Sequence, residues 1–269
     1  MRFIILLFIV YYVISCNNPV KIELSPDKNI LTNYFKNHLA EDNLSGSIAS
    51  VTYTSCNPDG DSCCLTSKVT YNSSGNRIKE IIYNCPDPNS ITIGAWYWFD
   101  YYYDSLGRLS RYIRMDDETT KVFEFINVYD TTDLPSQRYY INHWIELDST
   151  IQILSYDSLN RWTGYVEHTI ERWGVNEAVS CSLIITFDES AHSIISEWQE
   201  GGSTYRRQKI VYNEKQLPVE FCVTLNTGTV LAHDFYEYEA FDDNGNWIAR
   251  ILTDNNKAGK IEKREIEYY

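Results

Sequence analysis

The sequence has little basic charge, little glycine and proline, and no long apolar run beyond its first fifteen residues. Lys and Arg number 23 against 37 Asp and Glu, for a net charge of −14. A pI near 4.8 excludes a sequence-independent nucleic-acid binder, which gains affinity by releasing counterions from a basic surface. Only 12 Gly and 7 Pro in 269 residues exclude a collagen-like or low-complexity chain. There is no H-E-x-x-H pair, no G-x-S-x-G elbow and no phosphate-binding glycine loop. The five His (His38, His143, His168, His192 and His233) are scattered. Aromatic residues are plentiful, with 22 Tyr, 10 Phe and 7 Trp. Such a chain buries a core and is no disordered acidic tail. Its length suits one large domain or two small ones.

Met1–Ser15 carries one charge, Arg2, and then an apolar run from Phe3 to Ile14. That run is too short to cross a bilayer comfortably as a helix, and it fits the apolar centre of a secretory signal peptide. It ends Val13-Ile14-Ser15-Cys16, with a small residue directly before a cysteine. This ending resembles the bacterial lipobox, and the resemblance implies cleavage before Cys16 and lipidation of that cysteine. The alternative is an ordinary signal peptide whose cleavage site happens to precede a cysteine. Asn17 stands where an aspartate would signal retention at the inner membrane, so the same resemblance points to the outer membrane. Residues 18–23 lack a dense acidic cluster, which favours a periplasm-facing position over the cell surface. Residues 17–29, with Pro19 and Pro26, read as a tether. Ile30, Leu31, Tyr34, Phe35 and Leu39 are spaced as a short amphipathic helix. The expected division is a signal peptide over 1–15, a lipid-anchored tether and short helix over 16–46, and a β domain over 47–269.

An internal repeat organises the β domain. An aromatic residue followed by Asp or Asn recurs as Tyr71-Asn72, Tyr103-Asp104, Tyr129-Asp130, Tyr156-Asp157, Phe187-Asp188, Tyr212-Asn213 and Phe241-Asp242, at spacings of 25–32 residues. Asp or Asn opens a type I turn by accepting backbone hydrogen bonds. Gly75, Gly107 and Gly245, three residues later, suit the left-handed position of a G1 bulge. Asn160 tolerates that conformation too. Asp133, Ala191 and Gln216 hold the place in weaker copies, where another turn type is expected. The flanking segments 121–128, 182–186 and 234–240 are rich in β-branched and aromatic residues. The expectation is all-β: an antiparallel meander of repeated hairpins, about 15–16 strands, forming a curved sheet or closed barrel. Closure would pair a first strand near 47–55 with a last near 260–268 and remove both sheet edges. Short uniform turns would gather at one end. Variable connections at 85–93, 142–150, 172–178, 199–204, 225–229 and 253–260 would gather at the other, where binding surfaces are commonly carried.

The unit resembles the Rhs/YD-repeat family, whose copies read Tyr-Asp-x-x-Gly-Arg/Asn. It is also similar to small YD-rich bacterial lipoproteins of unknown function described as porin-like in fold. The resemblance covers roughly residues 65–269 and implies architecture more than activity. A lipid-spanning barrel needs a consistently apolar outer face. The run 261–268 has Lys263, Glu265 and Glu267 on one face and Glu262 and Arg264 on the other, and Tyr205-Arg-Arg-Gln-Lys209 is as polar on both. A soluble sheet or barrel is therefore expected, with aromatic residues packing its interior.

Setting aside Cys16, six cysteines remain: Cys56, Cys63, Cys64, Cys85, Cys181 and Cys222. An even number in an exported chain permits disulfides. The first hairpins place Cys56 near Cys63 and Cys64 opposite Cys85, so those two bridges are expected. A metal site built from the same four is the alternative, but paired C-x-x-C spacing is lacking. Cys181 and Cys222 are expected to be buried free thiols.

No cofactor, metal or catalytic residue is expected. Asp116-Asp117 and Asp242-Asp243 fall in turns, where solvation explains them better than paired glycosidase carboxylates. Asp242-Asp-Asn-Gly-Asn246 has its glycine two places early for a calcium loop. His143, Trp144, Arg172 and Trp173 lie in or beside variable connections and are the candidate ligand-binding residues, since exposed indoles stack on sugars or anchor partners. Core packing is the competing role for those rings, and the default for Trp96, Trp98, Trp162, Trp198 and Trp247. The functional expectation is a lipid-anchored envelope protein that binds or scaffolds, held to the membrane by its anchor and taking a glycan or envelope protein, with no nucleic acid. A glycan hydrolase and a purely structural envelope component are the alternatives.

Overall fold

The computed structural model describes residues 44–83, 95–117, 119–143, 149–171, 174–254 and 259–269. Sixteen strands follow one another: β1 (Ile48–Cys56), β2 (Cys63–Tyr71), β3 (Arg77–Tyr83), β4 (Ala95–Tyr103), β5 (Leu109–Met115), β6 (Lys121–Tyr129), β7 (Pro135–Asn142) and β8 (Ser149–Tyr156). The second half comprises β9 (Trp162–Glu171), β10 (Gly174–Asp188), β11 (Ser193–Glu200), β12 (Ser203–Tyr212), β13 (Pro218–Leu225), β14 (Val230–Phe241), β15 (Trp247–Asp254) and β16 (Lys260–Tyr268). Each strand pairs antiparallel with its sequence neighbours, and β1 pairs with β16, so the sheet is a closed barrel without edges.

The repeat motif is the physical cause of this regularity. Asp104 shows how one copy works. Its carbonyl accepts from Gly107 N at 3.0 Å, and its Oδ1 accepts from the amides of Leu106 and Arg108, both at 2.9 Å. The same three bonds recur at Asn72, Asp157, Asn213 and Asp242. The left-handed residue is Gly75, Gly107, Asn160, Gln216 or Gly245. Gln216 therefore keeps the bulge that its sequence argued against, because the surrounding bonds impose it. In the Asp188 copy the left-handed residue moves one place on, to His192 (φ 48°).

The aromatic and basic positions of the motif bind the repeats to one another. Tyr103, Tyr129 and Tyr156 each donate a hydroxyl hydrogen bond to a backbone carbonyl about one repeat earlier, Arg77, Leu109 and Pro135, at 2.6–2.9 Å, and Tyr238, three residues before the motif's Phe241, donates likewise to Pro218 at 2.9 Å. Burial holds the Tyr129 hydroxyl protonated, its pKa pushed up to about 12. Arg108 and Arg161 each pair with their own turn aspartate, at 2.8 and 2.5 Å. They also stack on the aromatic of the next copy, Tyr129 at 4.1 Å and Phe187 at 4.3 Å. Tyr156→Phe is expected to cost about 1 kcal/mol, because the Pro135 carbonyl loses its donor while the ring stays. Urea unfolding checks this, and an unchanged midpoint would remove the latch from the account.

Side chains alternate inward and outward. On β12, Arg206, Gln208, Ile210 and Tyr212 are buried while Arg207 and Lys209 are exposed. Sixteen strands would enclose a wide lumen, and large inner side chains occupy it. Tyr97, Phe99, Tyr101 and Tyr112 are buried in one cluster, and Leu154, Tyr165, Leu183, Ile185 and Trp198 in another. The inner wall is thus rich in rings, while exposed Arg207, Lys209, Glu237, Glu239, Lys263 and Glu267 cover part of the outer wall. The inner wall also buries polar side chains such as Glu80, Arg138 and Gln208.

Some expectations change. Trp96 is 52% exposed on the outer wall, and Trp98 lies under Lys79 with its indole N–H on Asp100 at 3.3 Å. Neither fills the core, because alternation along β4 sends Tyr97 and Phe99 inward instead. Trp162, Trp198 and Trp247 do pack inward. The packed unit starts before residue 47: Leu44 is buried against Ile48, Val51, Val69 and Tyr71. The Ser45 amide donates to Asn246 Oδ1 at 2.6 Å. The chain therefore enters at the short-turn end.

Candidate functional site

The expected variable end is shorter than its sequence suggested. β11 and β12 join through Gly201-Gly202, and β13 and β14 through a tight turn closed by Gly228 N on the Leu225 carbonyl at 3.0 Å. β10 begins at Gly174, so the connection expected over 172–178 is mostly strand. Trp144, Arg172 and Trp173 lie outside the described residues, as do Cys16 and Cys85. His143 is described, and its Nε2 sits 3.2 Å from Glu124 Oε2. Glu124 is buried and also faces Arg111 at 3.3 Å and Lys121 at 4.0 Å. His143 is thus part of an ion-pair cluster beside the loop.

The expected Cys56–Cys63 bridge is present, with Cα atoms 4.0 Å apart across β1 and β2. Their sulfurs bond each other, which removes them from any thiolate metal set. Cys64 is disulfide-bonded as well. Cys181 and Cys222 are free and half-buried.

The acidic pairs serve the fold. Asp116 pairs with Arg114 at 3.1 Å. Asp117 accepts from the amides and hydroxyls of Thr119 and Thr120, and those bonds hold its pKa down at about 2. Asp242 closes a turn and takes the Tyr268 hydroxyl.

Polar side chains gather on the inner wall near the variable end, where β8 to β12 run side by side. Gln152 donates to Glu167 Oε2 at 2.8 Å, and Cys181 Sγ donates to Glu167 Oε1 at 3.3 Å. Burial raises the Cys181 thiol pKa, and the Glu167 charge adds to the effect. That sulfur is accordingly a protonated donor and no nucleophile. Two strands further round, Trp198 on β11 stands opposite Arg206 on β12, and Ser196 stands opposite Gln208. The Arg206 guanidinium lies 4.7 Å from the Trp198 ring. The sequence placed Arg206 and Gln208 in a run equally polar on both faces. Only the inward alternation of β12 separates them from Arg207 and Lys209.

The outer wall is uneven. Ile78, Trp96, Tyr102, Val128, Ile153 and Ile184 are exposed between β3 and β10, and Val230, Leu231, Phe235 and Phe241 on β14, among exposed charges such as Arg207, Glu237 and Lys263. Among the described residues no helix is long and apolar enough to cross a membrane.

The sequence matches no protein-family model and no curated protein. The fold is similar to that of a porin-like protein from Bacteroides uniformis, with a TM-score of 0.53 and 7% identity over 82% of this chain and 98% of that one. A porin-like protein from Bacteroides vulgatus aligns over 84% of this chain and 99% of that one, at 10% identity and a TM-score of 0.38. A LolA-superfamily protein from Nitrosomonas europaea aligns over 82% and 84%, at 15% identity and a TM-score of 0.28. The Bacteroides uniformis likeness bears on fold alone, and the other two are too distant to bear on it. The turn chemistry behind the YD-repeat resemblance is present in the structure, although no family model assigns the chain to that group.

Proposed function

We propose that this protein is an exported, lipid-anchored binding or scaffolding component of the bacterial cell envelope, held at the outer membrane through Cys16 and facing the periplasm. One observation carries the reading. The barrel is closed, its inner wall is packed with rings, and its repeat motif is spent on turns and latches. Function is then left to the irregular end and the inner wall beside it. The acidic pairs that a hydrolase could have used are engaged in turns and ion pairs, which favours binding over catalysis. Entry of the chain at the short-turn end suits a tether attached there, with the irregular end left free for a glycan or envelope protein.

The test has two parts on the full chain. Metabolic labelling with a palmitate analogue in a bacterial host is expected to mark the wild type and to be lost in Cys16→Ser. A glycan array and envelope pull-down, with Trp144→Ala and Trp173→Ala beside the wild type, is expected to show a ligand lost in both variants. Absence of label would remove the anchor. Absence of any ligand, or binding indifferent to both indoles, would leave a purely structural role.

A further inference from the structure

Most inner-wall arginines have visible partners. Arg77 faces Glu80 at 3.7 Å, Arg114 faces Asp116 at 3.1 Å, Arg138 donates to Asn127 Oδ1 at 2.9 Å, and Arg250 meets Glu262 at 2.6 Å. Arg206 differs. It is 3% exposed, and its Nε and Nη2 have no hydrogen-bond partner among the described residues. These two nitrogens lie along a single edge of the guanidinium, the edge that grips a carboxylate or phosphate with two parallel bonds. Among the described residues the indole N–H of Trp198, across the register, has no acceptor, and Gln208 Oε1, two residues along β12, has no donor. Both residues are also buried, at 3% and 1% exposure. Two neighbouring donor groups and one acceptor are thus buried and unpaired on one patch of wall among the described residues.

A buried cation without an acceptor is among the most costly features a fold can carry. Stacking on Trp198 returns part of that cost. Burial presses the Arg206 pKa downwards, with the Tyr205 hydroxyl acting weakly in the other direction. Even so, guanidinium stays protonated in proteins. The unpaired edge therefore calls for a negative oxygen pair. Arg206 lies three residues past the turn that joins β11 to β12, so a ligand would reach it from that end of the barrel.

We infer that Arg206, Trp198 and Gln208 form an oxyanion site on the inner wall. It takes a small ligand bearing a carboxylate or phosphate, with Arg206 Nε and Nη2 and Trp198 Nε1 donating to the oxyanion. Gln208 Oε1 accepts from a hydroxyl or amide N–H a few ångströms away on the same ligand. The inference deepens the binding reading above but needs neither the Cys16 anchor nor the loop indoles.

The experiment is calorimetric titration of the full chain at constant ionic strength with acetate, inorganic phosphate and glycerol 3-phosphate. Saturable binding of at least one probe is expected. Acetate against phosphate decides the oxyanion. Tighter binding of glycerol 3-phosphate than of phosphate is expected if the hydroxyl reaches Gln208, and Gln208→Leu should level the two. Arg206→Met should weaken binding by about tenfold or more, and Arg206→Lys should weaken it too, since the charge stays but the fork is lost. Trp198→Phe should weaken it several-fold while keeping the ring. In probe-free buffer Arg206→Met should melt no lower than the wild type, because an uncompensated buried cation has gone. Should that variant fail to fold, Arg206→Lys and Trp198→Phe carry the test. No saturable binding by any probe means that water alone fills the edge, and this overturns the site. Binding unchanged in Arg206→Lys and Trp198→Phe overturns it as well. Loss of binding in Trp144→Ala or Trp173→Ala with normal oxyanion titration would concern the loop end alone.

Discussion

Gly164→Ala should destabilise the barrel by about 4 kcal/mol or more, lowering the melting temperature by roughly 10 °C. Gly164 lies on β9 opposite Ile184 of β10, with φ at +130°. A Cβ built there would sit 1.9 Å from the Leu183 carbonyl oxygen and 2.8 Å from its carbon. Both are backbone atoms, so no side-chain rotation relieves the overlap. Either the β9–β10 ladder opens or the residue abandons its conformation, and the conformation alone is strained for any L side chain. The damage would spread inward, because Leu183 belongs to the cluster with Tyr165 and Trp198. The Trp162 indole N–H also holds the Gly164 carbonyl at 2.8 Å. Urea unfolding of the wild type and the variant, read by tryptophan fluorescence, checks the size of the loss. A cost below about 1 kcal/mol would show that β9 and β10 do not approach this closely.

Arg250→Met should cost about 3 kcal/mol at pH 7, and less in acid. Arg250 is inward on β15, pairs with Glu262 at 2.6 Å, and stacks on Trp247 at 4.4 Å and Tyr236 at 4.5 Å. Four residues further along the same face, Asp234 and Asp254 are register partners. Burial and then the charges of Asp254 and Glu262 raise the Asp234 pKa, while His233 and Lys260 pull the other way. Removing the guanidinium leaves Glu262 without its partner, so its charge acts more fully on Asp234, whose folded pKa is already raised. A group with a raised folded pKa adds stability below its unfolded pKa and loses it as pH climbs through the folded value. The penalty should therefore be full at pH 7 and shrink in acid as Asp234 takes up its proton. Melting temperatures of both proteins across that range read it directly. A deficit that stays constant with pH would mean that Arg250 acts through packing on its rings rather than through charge.

How far each feature was legible depends on whether its cause is local. The turns were, because Asp or Asn closing onto amides two and four residues on is a matter of a few adjacent atoms. The strand number followed from counting them, and Cys56–Cys63 followed from two flanks of one hairpin. Gln216 was misjudged because its left-handed backbone is imposed by the bonds of Asn213 and not by its own side chain. Residue type alone points Trp96 and Trp98 to the core, yet the phase of β4 decides which rings face in. Arg206 looked like one charge in a polar run. Its isolation depends on Trp198 and Gln208, brought together by strand pairing and inward alternation.

The sequence by itself determined the all-β class, the repeat and the turn chemistry, since each rests on neighbours in the chain. The tertiary structure alone decided that the sheet closes through β1 and β16, that motif tyrosines latch one repeat to the last, and that Gly164 carries a close backbone approach. It also decided which polar side chains are buried without partners. Those features arise between residues tens to hundreds of positions apart, where pairing register and the direction of each pleat set the contact. No stretch of sequence carries that information alone.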